Sequence, residues 1–409
     1  MNIIDTWEST GNSFAEFEKR IDDIDSSTVE IDIDTSFLEL LPVSGVIKKE
    51  DGNNKIEFKV YNREHSRRKN LAPSTELDMK LATDAGLRNE LIDELLNRSK
   101  LAIRIDGKFY LTSKGLSRDL GARANLAGDA LYDPTEERAA YLMSRYLATP
   151  SAAKAIIRNE KGTSACKIVA LASKQYHYIP QSFLYETYRK FEEQLGKLKC
   201  DKWGISSTAT YIYITCDEKA RDIAETYGLK NMPTPGMLLE TSDTGDCSIT
   251  AHALWKTRRG YYIRGKSLSR RHQGYFTNDS LYNFFQSSLF SLYTKLPERF
   301  CELSLIDVSN PRDCIERVIK NLNSTKEMKA LGKKRISDLR DALTGELDCS
   351  YKYTAYDIAL MFFEISSRFN IESDSTLETD IQKIGYSAIF VDYKKIVDAS
   401  SKPTFTPKI

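Results

Sequence analysis

The sequence lacks almost everything that marks a familiar catalytic or secreted protein. No uninterrupted apolar run comes near the ~20 residues needed to cross a bilayer, so no membrane span is expected. The start, Met1-Asn2-Ile3-Ile4-Asp5, has neither a basic nor an apolar leader region, and nothing reads as secreted. The 7 cysteines (166, 200, 216, 247, 301, 314 and 349) are scattered and contain no C-x-x-C pair, which excludes a zinc ribbon pattern and points to reduced thiols in a cytoplasm. Histidine is scarce, at 4 residues, with no H-E-x-x-H and no ligand-spaced cluster. The phosphate-cradling and nucleophile-elbow glycine motifs are absent as well. No metal or cofactor is expected, and the balance leans away from an enzyme.

A local absence is more informative. From Cys247 to Asn278 there is no Asp or Glu. Inside that window, Trp255–Phe276 carries seven Lys/Arg among five aromatics, in a chain whose net charge is only +1. Cations alternating with flat rings suit a polyanion whose bases can stack, and that nucleic-acid reading stands slightly ahead of a solvated basic sheet. Lys256, Arg258, Arg259, Arg264, Lys266, Arg270 and Arg271 are the phosphate-contact candidates, with Arg258-Arg259-Gly260 as a hairpin tip and Lys266–Arg271 as a loop. In a strand Tyr261 and Tyr262 face opposite ways, and Ile263 shares a side with Tyr261. Tyr262 is therefore assigned to the surface with Arg264, and Trp255 to the core. His272 reads as a structural or phosphate-contact residue ahead of a base or metal ligand. Ser242 and Thr244 sit in Ser242-Asp243-Thr244-Gly245, a turn composition whose amides and hydroxyls could also face a phosphate.

With 409 residues, 41% hydrophobic and 29% charged, the chain can bury a large core and hold several regions. Residues 1–40 carry eleven Asp/Glu against two Lys/Arg. Thr28–Asp34 alternates apolar and acidic residues as a strand does. Val43–Lys49 and Lys55–Val60 flank Asp51-Gly52-Asn53-Asn54 as a hairpin, and Asp106-Gly107 marks a second one within Leu101–Leu111. Residues 73–100 read as helical, as do Thr112–Leu120, Pro134–Leu147, Gln181–Leu198 and Asp279–Leu296. Strands are expected at Cys166–Leu171, Thr208–Cys216, Met237–Glu240, Asp246–Trp255 and Gly260–Ile263. From about Asn310 the pattern is helical. The expected class is α+β: a central, mainly antiparallel sheet with packed helices. Residues 1–70 form an acidic β-rich region, 71–305 the central domain, 306–399 a helical region and 400–409 a tail.

The middle of the chain, about residues 102–322, resembles the phage/plasmid-like protein family DUF932. The resemblance lies in Gly107–Thr112 leading to Leu120-Gly121-Ala122-Arg123, in Ala165–Tyr176, in Leu239–Gly245 and in Arg271-His272-Gln273-Gly274. The family's Cys and Asn-Gly are missing from Thr257–Tyr262, and the first hundred residues have no counterpart. The resemblance implies a virus or mobile-element setting, near DNA replication or recombination, and supplies no mechanism. The leading expectation is a phage- or plasmid-encoded protein that binds nucleic acid, single-stranded DNA first, and oligomerises along it. The alternatives are a self-assembling or host-defence-inhibiting interaction protein, and a metal-dependent phosphoryl-transfer enzyme using Glu240, Asp243 and Asp246.

Overall fold

The computed structural model describes residues 8–35, 38–50, 53–60, 74–79, 101–106, 108–113, 116, 120, 152–159, 166–229, 232–242, 244, 248–257, 260, 262–272, 277–368 and 383–400. Two sheets carry the architecture. The first has six strands: β1 (Glu8–Gly11), β10 (Lys199–Ser206), β11 (Thr210–Thr215), β12 (Thr234–Thr241), β13 (Ile249–Lys256) and β14 (Tyr262–Arg270). They lie side by side in that order, every pair antiparallel. The second has eight strands in the order β2 (Thr28–Asp34), β8 (Ala152–Asn159), β9 (Cys166–Ser173), β7 (Lys108–Thr112), β6 (Leu101–Ile105), β3 (Glu39–Glu50), β4 (Asn53–Val60) and β5 (Ser74–Met79). Its β7–β9 pair is parallel and the others are antiparallel. A small pair, β15 (Asp307–Val308) and β16 (Tyr353–Thr354), ties the helical part together.

The chain is therefore α+β with mainly antiparallel sheets. Alternation accounts for most strands. In β11, Ile212 and Ile214 point to the core while Tyr211 and Tyr213 point away. β3 and β4 pair as far as Glu50 with Asn53, and β6 and β7 pair as far as Ile105 with Lys108, Asp106 taking φ +50°.

Helices cover one face of the six-stranded sheet. α1 (Phe14–Asp25) starts at Ser13, whose hydroxyl accepts from Glu16 N, and buries Phe17, Ile21 and Ile24 along one stripe. α2 (Ser182–Leu195) buries Phe183, Leu184, Tyr188 and Phe191, and Asp25 accepts from the amides of Gln181 and Ser182 at its start. α3 (Asp217–Tyr227) ends on Gly228 in the left-handed region, φ +61°. α4 (Asn278–Ser304) runs through Pro297 and outlasts its expected end by two turns. α5 (Pro311–Leu322), α6 (Lys326–Gly345), α7 (Ala355–Arg368) and α8 (Tyr393–Ser400) complete the layer. The buried apolar residues of these helices join those of the sheet, Trp203, Ile205, Ile212, Ile214, Met237, Leu239, Ala251, Ala253 and Trp255, in one continuous core.

Two local expectations change. The segment from 73 onward was expected to be helical, but its described part, Ser74–Met79, is strand β5, with Leu77 opposite Phe58 and Met79 opposite Ile56. The Ser-Thr-Glu start signal is local, and pairing with β4 overrides it. Residues 80–100, and the helix expected at 134–147, lie outside the described residues. The loop expected at Lys266–Arg271 is strand through Arg270, because Ser269 pairs with Thr250 and Arg270 with Ile249. The expected border near residue 70 does not separate sheets: β1 belongs to the six-stranded sheet and β2 to the eight-stranded one.

Candidate nucleic-acid interface

The site lies on the six-stranded sheet, on the face opposite the helices. Strand pairing places the rows. Lys202 lies opposite Tyr213, Tyr213 opposite Leu238 and Leu238 opposite His252. Beside them, Gly204 lies opposite Tyr211, Tyr211 opposite Glu240, Glu240 opposite Thr250 and Thr250 opposite Ser269. Lys256 pairs with Tyr262, and Leu254 with Arg264. Tyr213, Leu238 and Leu254 form a small apolar floor separate from the main core, with Tyr211 and Tyr262 packed against it.

A β-bulge between Cys200 and Lys202 supplies the polar anchor. Cys200 stays in the core, and the extra residue lets Asp201 and Lys202 both reach the open face. The Asp201 side chain is only 2% exposed; it accepts from Lys256 Nζ at 2.9 Å and from Thr215 Oγ1 at 3.0 Å. The Tyr262 hydroxyl also bonds Asp201, and burial followed by that carboxylate pushes the phenol's pKa well up. The Lys202 ammonium sits 4.1 Å from the centroid of Tyr213 and 5.1 Å from that of Tyr262.

A second network crosses β11–β14. Arg264 donates to the Tyr213 hydroxyl at 2.8 Å and lies 4.0 Å from Glu240 Oε1. His252 Nε2 stands 2.9 Å from Glu240 Oε2 and donates to it, since an ionised carboxylate has no proton to give. Burial raises the Glu240 pKa, but the His252 hydrogen bond and the Arg264 charge outweigh it and the net shift is downward.

Tyr211 lies over β10. An ideal Cβ on Gly204 would stand 2.5 Å from the Tyr211 hydroxyl oxygen and would overlap its ring. Only a residue without a side chain leaves the ring room there. Tyr211 and Tyr262 remain partly exposed, whereas Tyr213, 6% exposed, is floor.

Lys256, Tyr262 and Arg264 are thus brought together. The other expected residues divide. Arg258 and Arg259 lie outside the described residues, as does the Lys266 side chain; the adjoining turn holds Gly260 at φ +83°. Arg270 pairs with the core residue Ile249 and so points to the opposite face from Arg264. Arg271 is exposed at the strand's end. His272 is buried, 5% exposed, and stacks on Tyr176 with ring centroids 5.2 Å apart and planes 9° apart. Its carbonyl accepts from His177 N at 3.0 Å, so it ties the loop after β14 to the loop after β9. Ser242, 1% exposed, has its hydroxyl 2.9 Å from that of Thr244. Burial removes His272 and Ser242 from any surface contact with a phosphate; Thr244 stays partly exposed beside them.

Sequence reasoning passed over Asp201, Lys202, Tyr211, Tyr213 and His252. The alternation Tyr211-Ile212-Tyr213-Ile214 did carry the signal for the two tyrosines. Of the proposed metal carboxylates, Glu240 is held by His252, while Asp243 and Asp246 lie outside the described residues. Among the described residues no group of three or more His, Cys, Asp or Glu is placed to hold a metal ion, and no described helix is long and apolar enough to cross a membrane. No family model, no curated protein and no solved structure matches the chain.

Proposed function

We propose that this protein binds single-stranded nucleic acid, DNA in the first place, across the face of its six-stranded sheet that lies opposite the described helices, with the β13–β14 hairpin as the cationic flank. The observation that carries the reading is that Tyr211, Tyr213 and Tyr262 share one face with Lys202, Lys256 and Arg264. Partly exposed rings give bases a surface to stack on, worth about 1–3 kcal/mol per base. A duplex hides its base faces, so only a single strand can use them. Lys256 and Arg264 already face carboxylates, which leaves a modest electrostatic share. Three phosphate contacts would give a salt slope of roughly −2 on a log–log plot. The mobile-element setting implied by the resemblance to DUF932, and assembly of several copies along a strand, belong to the same proposal.

The test is fluorescence anisotropy with a labelled oligothymidylate over a salt series. Tyr211→Ala with Tyr262→Ala is expected to weaken binding ~100-fold or more, since two stacking contacts are lost, and Lys202→Glu to flatten the salt slope. Equal affinity of wild type and the double tyrosine variant, with both folded, would sink the proposal.

A further inference from the structure

The open face is electrically divided, and the division points to which part of a nucleotide lies where. One end holds Lys202, Lys256, Tyr262 and Arg264, next to the hairpin turn. The row through Gly204, Tyr211, Glu240, Thr250 and Ser269 contains no cation. It offers acceptors instead: the Glu240 carboxylate and the Thr250 and Ser269 hydroxyls, which lie 3.2 Å apart. Glu8, on β1, adds its negative charge near Tyr211. Arg264 reaches to 4.0 Å from Glu240 Oε1 and partly offsets the negative charge around Tyr211; the acceptors of the row suit the donor groups of a base.

We infer that this row reads a guanine, stacked on Tyr211 with its N1–H and N2 amino group donating to the Glu240 carboxylate. Tyr211 and Glu240 are directly opposed across β11 and β12, a placement that sets Cβ atoms ~5 Å apart. The Tyr211 ring leans the other way, over Gly204 on β10, so it leaves the carboxylate uncovered. Glu240 keeps 28% of its side chain exposed. A carboxylate has about four acceptor sites; His252 takes one, and the 4.0 Å separation from Arg264 is beyond hydrogen-bond reach.

The choice among bases follows from their edges. Guanine alone presents two adjacent donors on its Watson–Crick edge. Adenine and cytosine set one amino group beside an acceptor nitrogen, and thymine flanks its single N–H with two carbonyl oxygens. An acceptor facing a carboxylate is repelled, and a site built around one hydrogen-bond pattern rejects ligands that lack it.

This inference rests on the nucleic-acid reading of the face, and one experiment separates the two. Anisotropy is measured with alternating guanine–thymine oligonucleotides and with the same sequences carrying hypoxanthine for guanine, which removes only the N2 amino group. The expected result is at least ~10-fold weaker binding of the hypoxanthine series, the cost of one lost bond to a charged acceptor. Glu240→Gln is expected to bring the guanine series to the hypoxanthine level. Equal affinity of the two series for the wild type overturns the guanine assignment while leaving single-strand binding intact. Failure to bind any oligonucleotide overturns both. Because the decisive change is in the ligand, the outcome does not depend on a variant folding.

Discussion

Gly204 is where a missing side chain shapes the face. A methyl group there would meet the Tyr211 ring, so Gly204→Ala is expected to lift the ring off β10. Anisotropy should then show at least a ~10-fold loss in affinity for oligothymidylate, the worth of one stacking contact, although every aromatic is still present. Unchanged binding would mean that the ring's position is irrelevant. Glu240 carries a second expectation. Its pKa is depressed in the folded state, so the unfolded chain binds its proton more tightly. Its contribution to stability is complete above the ordinary glutamate range and is lost as pH falls through the lower, folded value. Denaturant titrations at falling pH should show wild type losing more stability than Glu240→Gln; parallel curves would contradict the assignment. Tyr262 and Arg264 were legible in the sequence because both lie in the acid-free window and share strand parity. Lys202 was not, because only a bulge, invisible in a single strand's pattern, turns two consecutive residues to one side.

At the level of elements, local signals were reliable where they were complete in themselves. At Asp106-Gly107 the flanking strands pair, Ile105 with Lys108, as the dipeptide predicts. Local signals failed where a distant partner decided. β5 is a strand because β4 is beside it, and β14 runs on to Arg270 because β13 does. α6 shows a third case, a helix broken from within. Gly332 has φ +75° and ψ 164°, a conformation that essentially only glycine adopts, and it divides the helix into two segments. Gly332→Ala is expected to cost about 1–3 kcal/mol in equilibrium unfolding, even though an added Cβ would meet nothing within 4 Å. A neutral result would show that the break is not fixed by the backbone.

Across the whole molecule, the regions expected from charge and periodicity share structure. The helical region after residue 305 does not have a core of its own: Ile315, Val318, Phe362, Phe363 and Tyr393 join the same cluster as Trp203, Trp255 and Phe300. The acidic start supplies strands to both sheets, and the stack of Tyr176 on His272 links the loops leaving β9 and β14. Composition could reveal the segments but not that α1, the six-stranded sheet and the later helices share one core, while Ile103, Ala155, Ile157 and Ile168 of the eight-stranded sheet form a second. The short strand β1 has a further consequence, one of time. It pairs with β10, and the Trp203 indole donates to the carbonyl of Ser13, 190 residues earlier in the chain. At a synthesis rate of about 5–20 residues per second, that partner emerges ~10–40 s after β1 does. α1 thus waits until residues 181–206 have been made before it is seated. Until then Phe17, Ile21 and Ile24 form a bare apolar stripe, the kind of surface that a holding chaperone recognises.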